Sequence, residues 1–228
     1  MAVDPSSWVP VQRPKRQVME GRFVRLEPLD SNRHTHELFL ASSVADGERR
    51  FRYLPEYAPQ DEEDFRRWVE QMGQSEDPLF FAVVDKVSGK VAGRQTLMRI
   101  DETNGCIEIG NIYWGPLISR TPAATEALFL FMQYIFEDLG YRRFEWKCNN
   151  DNVPSKDAAL RFGFQHEGLF RQHLIVKGLN RDTAWFSIID KEWPALRVAY
   201  MQWLAPENFE SDGRQVQPLA QLIRLAQA

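Results

Sequence analysis

Cysteine and histidine are scarce: the chain has two Cys, Cys106 and Cys148, and four His in 228 residues. No C-x-x-C pair and no His/Cys cluster is available to hold zinc. His34 and His36 stand two apart and diverge on a helix. Both cysteines read as small buried thiols of a reduced, cytoplasmic protein. No apolar run approaches the roughly 18 residues of a membrane-spanning helix. The stretch Met1–Gln17 is polar, carries three prolines and lacks an apolar core, so a secretory leader is not expected. An excess of basic charge is missing too. Lys and Arg number 28 against 32 Asp and Glu, a net charge of −4, which argues against a nucleic-acid partner. With 43% hydrophobic and 26% charged residues, composition excludes global disorder, a collagen-like chain and a coiled coil.

What is present is a succession of short periodic segments. Residues 1–20 read as a flexible N-terminal arm with Pro5, Pro10 and Pro14. Arg22–Pro28 alternates as a strand, and Asp30-Ser31-Asn32 offers cap oxygens for a helix through about Ala45. Arg50–Pro59 is aromatic and irregular. A helix over Asp61–Met72 carries four acidic residues in its first turn and puts Phe65, Trp68, Val69 and Met72 on one face. Leu79–Val84, Val91–Ile100 and Cys106–Trp114 form an antiparallel meander through two turns. Ala124, Leu128, Phe131, Ile135 and Leu139 stripe a helix over Thr121–Leu139, ended by Gly140. A strand at Phe144–Asn149, a short helix at Asn152–Phe162 and a hairpin of Phe164–Val176 with Arg181–Asp190 follow. A last helix spans Trp193–Leu204. This order predicts one α/β domain over 21–194 whose middle strands are joined by a crossover helix, then a C-terminal helix and tail over 195–228.

Chemistry concentrates in Cys106–Phe164. There a strand runs through Ser119-Arg120-Thr121-Pro122-Ala123-Ala124-Thr125-Glu126 into a long helix. Backbone N–H groups and the dipole at a helix start bind phosphate. Ala123 and Ala124 permit close approach, Arg120 adds charge, and Thr121 and Thr125 add hydroxyls. The same turn also suits an ordinary capped helix with Pro122 at its first position.

The order of elements and four local patterns resemble the GNAT superfamily of acetyl-CoA-dependent N-acyltransferases, most closely the branch acting on ribosomal-protein N-termini. The patterns are Arg52-Tyr53-Leu54-Pro55 followed by Phe65-x-x-Trp68; Ile107-Glu108-Ile109-Gly110; Ala124-Thr125-Glu126-Ala127; and Asn152-x-x-Ser155 followed by Phe162-Gly163-Phe164 and Glu167-Gly168. The likeness covers about Gly21–Pro194. It implies a mixed, mostly antiparallel central sheet of about seven strands flanked by helices. It also implies acetyl-CoA as co-substrate, no metal, and an amine acceptor, either a protein N-terminus or a small amine or aminoacyl compound. The family's turn usually reads Gln/Arg-x-x-Gly-x-Gly/Ala; here those places hold Ser119, Pro122 and Ala124. Proline has no N–H, so one pyrophosphate donor is absent. Thr121, Ala123, Ala124 and Thr125 N–H groups with Arg120 are the expected remaining cradle. A Tyr often stands seven residues after the family Asn, but Ala159 occupies that place here. Ser155 is then the hydroxyl expected near the coenzyme sulfur, and it also suits a helix-cap position. Asn152 resembles the coenzyme-contacting Asn and is equally an N-cap.

The attacking amine must lose a proton. Glu108 matches a Glu position of the branch and is the expected base, with a strand-face ion pair as the alternative. Glu145, if it shares a face with Glu108, would raise its neighbour's pKa or be raised by it. His173 is held in reserve. The resemblance implies that the fourth and fifth strands splay apart. This would leave backbone at Asn111–Tyr113 to polarise the thioester carbonyl and would leave Ile112, Tyr113 and Trp114 along the pantetheine arm. Arg52, Tyr53, Tyr57 and Trp185 are the expected acceptor-side residues, with Trp114 as a further contributor. A thiolate route through Cys148 lacks a neighbouring activator in the sequence. The competing reading is a catalytically weak GNAT-like module that binds acyl-CoA or a protein. It is motivated by Pro122 and by a tail whose Leu219, Leu222 and Ile223 form a short apolar stripe fit to dock on the domain or on a second subunit. A homodimer is implied by resemblance alone.

Overall fold

The computed structural model describes residues 5–227. Residues 1–4 of the expected arm and Ala228 of the tail lie outside the described residues. The sheet is eight-stranded in the order β1-β2-β3-β4-β5-β6-β8-β7. Its strands are β1 (Met19–Glu20), β2 (Val24–Pro28), β3 (Leu79–Asp85), β4 (Val91–Asp101), β5 (Cys106–Trp114), β6 (Arg143–Asn149), β7 (Gln165–Val176) and β8 (Leu179–Ile189). The expected count of about seven omitted β1, whose two residues are too few to show a period. All neighbours are antiparallel except β5 and β6, which pair in parallel. A parallel pair needs a crossover, and α4 (Pro122–Gln133) supplies it.

Local chemistry explains most boundaries. The Asp30 carboxylate accepts from the N–H groups of Asn32 and Arg33, both at 2.9 Å, and so starts α1 (Ser31–Ser42). That helix stops at Ser42 rather than near Ala45, and a short α2 (Gly47–Phe51) forms inside the segment expected to be irregular. Asp61 caps α3 (Glu62–Gln74), with Glu62, Glu63 and Asp64 at its positive end. The α1 and α3 pair covers one face of the sheet through Leu38, Phe65 and Val69 against Phe80, Ala82 and Val84. The opposite face carries α4, α6 (Trp193–Leu204) and the larger core. Lying between these layers, β3 is buried along its whole length, which is why it reads as a continuous apolar run and does not alternate.

The α-helix expected over Thr121–Leu139 gives way at Gln133 to a π-turn, Tyr134–Asp138, and Gly140 then takes φ +75°. Gly93 permits close approach of β4 and β5: a Cβ there would strike the Tyr113 carbonyl. The arm is tethered rather than loose. Trp8 Nε1 donates to the Thr103 carbonyl, Val11 N–H to the Glu102 carbonyl at 3.0 Å, and Lys15 N–H to the Tyr134 hydroxyl at 2.8 Å. The tail also docks on the domain. Leu219, Leu222 and Ile223 of α7 (Leu219–Gln227) are buried against α6, and Asn208 Nδ2 donates to the Trp203 and Gln217 carbonyls.

Candidate active site

The middle of the sheet opens. The register of β5 on β6 runs Cys106–Arg143, Ile107–Phe144, Glu108–Glu145, Ile109–Trp146 and ends there. Beyond it, β5 stays with β4 while β6 stays with β8, as far as Asn149 against Thr183. Gly110–Trp114 therefore has no strand partner on its β6 side. A register shift in the β4–β5 pairing and a left-handed Asn111 (φ +47°) lie at the opening. The rings of Trp114 and Trp146 meet edge to face across the gap at 6.4 Å, and Phe162 packs edge-on to Trp114 at 5.9 Å. Trp114 also donates Nε1 to Gln95 Oε1 at 3.1 Å. Its ring thus belongs to the α4 side of the sheet, opposite Trp185, and the expectation that it lines the acceptor side is corrected. Alternation decides this, since Trp114 pairs with Gly93 while Tyr113, on the α1 side, pairs with Arg94. Tyr113 is buried, donating to the Ala41 carbonyl at 2.6 Å and lying 4.7 Å from the Phe51 ring. Ile112, on the Trp114 side, is half-buried against the core.

The start of α4 faces the same opening. Thr121 is the N-cap without a side-chain cap; its hydroxyl and its N–H both go to the Ile118 carbonyl, at 2.7 and 3.1 Å. The N–H expected to help hold pyrophosphate is therefore already engaged. With Pro122 at the first helical position, the N–H groups of Ala123 and Ala124 are left by position without an intrahelical acceptor. Thr125 is buried, with its hydroxyl 3.2 Å from Arg161 Nη1. Arg120 is exposed and left-handed (φ +63°). Glu126, five residues past the cap, has a structural task that its motif did not reveal. Its buried carboxylate accepts from the N–H groups of Arg22, Phe23 and Val24 at 2.8, 2.6 and 2.8 Å, tying α4 to the β1–β2 turn.

The far wall is α5 (Val153–Arg161). Asn152 is its N-cap and accepts from the Ser155 N–H at 3.3 Å; Ser155 Oγ in turn accepts from Trp146 Nε1 at 3.0 Å. Both expected coenzyme-side residues thus stand beside the splay, with the Ser155 hydroxyl held in one orientation. Burial pushes the Cys148 thiol up, only partly offset by its hydrogen bond with Ser155. That opposes a thiolate route.

On the α1 side of the sheet, Glu108 is 3% exposed. Its Oε2 accepts from Arg99 Nη1 at 2.7 Å and from Lys147 Nζ at 2.9 Å. Lys147, itself 5% exposed, also reaches Glu145 Oε2 at 2.6 Å, and Arg143 holds Glu145 Oε1 at 2.6 Å. Glu108 and Glu145 do share a face, as expected, but Lys147 stands between them in place of bare like-charge contact. Sequence reading gave Lys147 no role in the site, and its signal was present: it shares a face with Glu145, alternating with the apolar Phe144, Trp146 and Cys148. Glu108 Oε1 lies on the Gly110 side, next to the Met98 thioether that covers Gly110. Lys147 Nζ sits 3.7 Å over the Trp185 ring. His173 is exposed and pairs through Nδ1 with Thr183 Oγ1 at 3.0 Å, its ring 6.2 Å from that of Trp185.

The 51–57 segment crosses the open end. Tyr53 donates to the Asp151 carbonyl at 3.0 Å, spanning from this loop to the β6–α5 turn. Glu56 pairs with Arg94, which is 1% exposed and lies 4.7 Å over the Trp68 ring. Lys177, at the β7–β8 tip, donates to the Phe51 carbonyl at 2.8 Å and lies 4.4 Å from the Tyr57 ring. Arg52 is exposed and stacks on Tyr53 at 5.2 Å. The expected acceptor-side residues Tyr53 and Tyr57 meet here, while Trp185 stands farther down the sheet with Lys147.

An open mixed sheet, split beside a helix N-terminus and carrying charged groups on one face, defines an α/β coenzyme-binding transferase. Over residues 24–165 the chain matches the family described as acetyltransferase (GNAT) domain, and it belongs to that family. It is 32% identical over 117 residues to the uncharacterized N-acetyltransferase p20 of Bacillus licheniformis, a match covering 50% of this chain and 63% of p20. It is 28% identical over 131 residues to YdaF of Bacillus subtilis (strain 168), provisionally named a ribosomal N-acetyltransferase, covering 57% of this chain and 67% of YdaF. The solved structure of a GCN5-related N-acetyltransferase from Brucella melitensis superposes with a TM-score of 0.95 at 62% identity, over 96% of this chain and 99% of that one.

Proposed function

We propose that the protein moves an acetyl group from acetyl-CoA to a primary amine, on a protein N-terminus or a small amine or aminoacyl compound, by direct attack in a ternary complex. The carrying observation is the parallel β5–β6 pairing that stops at Ile109–Trp146 beside the start of α4. When bound, acetyl-CoA supplies the activated acetyl thioester. The residues present fit it: an unpaired strand edge, small residues at a helix start and an oriented hydroxyl. The edge of Gly110–Trp114 offers backbone groups to an amide-bearing arm, as a neighbouring strand would. An N–H within Asn111–Tyr113 can polarise a carbonyl. Ala123 and Ala124 N–H groups, with Arg120, suit a pyrophosphate. Ser155, fixed by Trp146 and Asn152, can give its hydroxyl proton to a leaving thiolate. Glu108, anchored at Oε2 by Arg99 and Lys147, can accept the amine proton at Oε1. Free thiols at Cys106 and Cys148 agree with a cytoplasmic setting. By family likeness we also infer a homodimer.

Thermal unfolding with and without acetyl-CoA tests the coenzyme half. A ligand at 100 times its Kd adds about 2.7 kcal/mol, and each kcal/mol shifts the midpoint of a chain this size by roughly 2–4 °C. A shift of several degrees is expected with acetyl-CoA and little with adenosine; no shift at millimolar acetyl-CoA sinks the reading. For Glu108→Gln we expect kcat to fall by about 10²–10⁴ with coenzyme affinity kept. Unchanged turnover would remove Glu108 as the base.

A further inference from the structure

Arg181 enters β8 on the face that carries Thr183 and Trp185, two and four residues on. It is half-buried, and its Nε donates to Thr183 Oγ1 at 3.2 Å. Among the described residues no carboxylate pairs with it, and it stands on the face where Trp185 packs against Lys147, the ion-pair partner of Glu108. The carboxylates on this face are already taken. Glu108 is held by Arg99 and Lys147, Glu145 by Lys147 and Arg143, and Glu167 by Arg143. Among these groups four cations thus meet three carboxylates, and the cation left without an ion pair is Arg181. A guanidinium withdrawn from water without a partner is costly.

A second observation points the same way. Trp185 Nε1 is buried and has no acceptor among the described residues. Its ring packs against Lys147 Nζ and the Phe170 ring, 3.7 and 4.6 Å away. A buried N–H left unmade costs about 1–3 kcal/mol. The uncommitted polar groups around Glu108 are therefore donors, which a ligand carrying acceptor oxygens would satisfy. A neutral amine would leave them unpaired.

We propose that Arg181 and the Trp185 N–H form an oxyanion subsite beside Glu108, and that the acceptor is an amine bearing a carboxylate or phosphoryl group. This rests on the acetyl-transfer reading and deepens it by naming the acceptor class. Guanidinium and oxyanion are matched by charge and by paired N–H···O geometry. The subsite would hold the anionic end while the amine lies near Glu108 Oε1 and the open edge of β5.

The test uses two amine pairs that differ only in the anion, β-alanine with its amide and phosphoethanolamine with ethanolamine. The wild type is expected to favour the anionic member of at least one pair by more than about tenfold in kcat/KM. Which pair shows it separates carboxylate from phosphoryl. Arg181→Gln should reduce that ratio at least tenfold, Arg181→Lys should restore part of it, and Trp185→Phe, which keeps an aromatic ring and loses the N–H, should reduce it less. Coenzyme affinity serves as the fold control. A wild-type ratio near one in both pairs, or a ratio unmoved by Arg181→Gln, overturns the proposal. If no amine turns over, calorimetric binding of the same pairs to enzyme saturated with CoA decides it by the same ratios. Failure of acetyl-CoA itself to bind would sink the acetyl-transfer reading, and amine binding to the unliganded protein would still report on Arg181.

Discussion

Glu126 and Glu108 are both buried glutamates, and their surroundings give them different work. Glu126 is closed in by backbone N–H groups of Arg22, Phe23 and Val24, so its role is structural. A hydrogen bond to a charged group is worth about 1.5–3 kcal/mol, and an unmet buried donor costs about as much. Glu126→Ala should therefore lower stability by about 3 kcal/mol or more in urea unfolding; a loss under 1 kcal/mol would contradict the role. His34 is the pH-sensitive residue of the α1 layer. Its Nδ1 accepts from the Asp30 N–H at 3.0 Å while Nε2 faces Glu27 Oε2 at 3.1 Å, an arrangement that needs the neutral ring. Burial, outweighing the attraction of Glu27, pulls its pKa below the ordinary value. The unfolded chain therefore binds the proton first. The stability contributed by the neutral ring is present above about pH 6.5 and is lost as pH falls below it. His34→Gln should flatten stability between pH 7 and 5; an unchanged slope there would refute the assignment. Glu167, held down to about 2 chiefly by its hydrogen bond with Arg143, adds a second loss only below about pH 4.5.

At the scale of elements, the start of α4 decides how well a pyrophosphate is held. Pro122 fits the first helical position because its φ is preset and the missing N–H would be unpaired within the helix. The same missing N–H is one donor fewer for a ligand. Pro122→Ala restores it and keeps a Cβ. We expect acetyl-CoA to bind about fivefold tighter, the equivalent of one neutral hydrogen bond of about 1 kcal/mol. Calorimetry reads this directly, and weaker binding would show that the rigid turn matters more than the donor. The splay itself rests on which neighbour each strand keeps: β5 follows β4 through the bulge at Asn111, and β6 follows β8 to Asn149.

For the whole molecule, the terminal segments are part of the domain. The apolar stripe Leu219, Leu222 and Ile223 closes on α6, where Ile223 packs beside Gly163. Burying each such side chain is worth about 1.5–3 kcal/mol. Truncation after Ala205 should therefore lower the thermal midpoint by several degrees and expose the α6 face to a hydrophobic dye. An unchanged midpoint would show that the tail is dispensable. The covered stripe also removes this tail as a subunit contact, because a face packed against its own domain is not available to another.

Most of the fold was legible in the residues because burial prints its period on the chain. Alternation marked β2 and β6, the turn at Lys177–Asn180 marked the β7–β8 hairpin, an unbroken apolar run marked β3, and the Asp30 cap and the acidic turn from Asp61 marked helix starts. The four motifs led to the family for the same local reason. The sheet order, the end of the β5–β6 register and the sharing of Lys147 by Glu108 and Glu145 belong to the tertiary structure alone. They join residues far apart in the chain, and periodicity says which face a side chain takes but not which strand comes to lie beside it. That Arg181 is left without an ion pair is visible only when every carboxylate on its face has been given its partner in space.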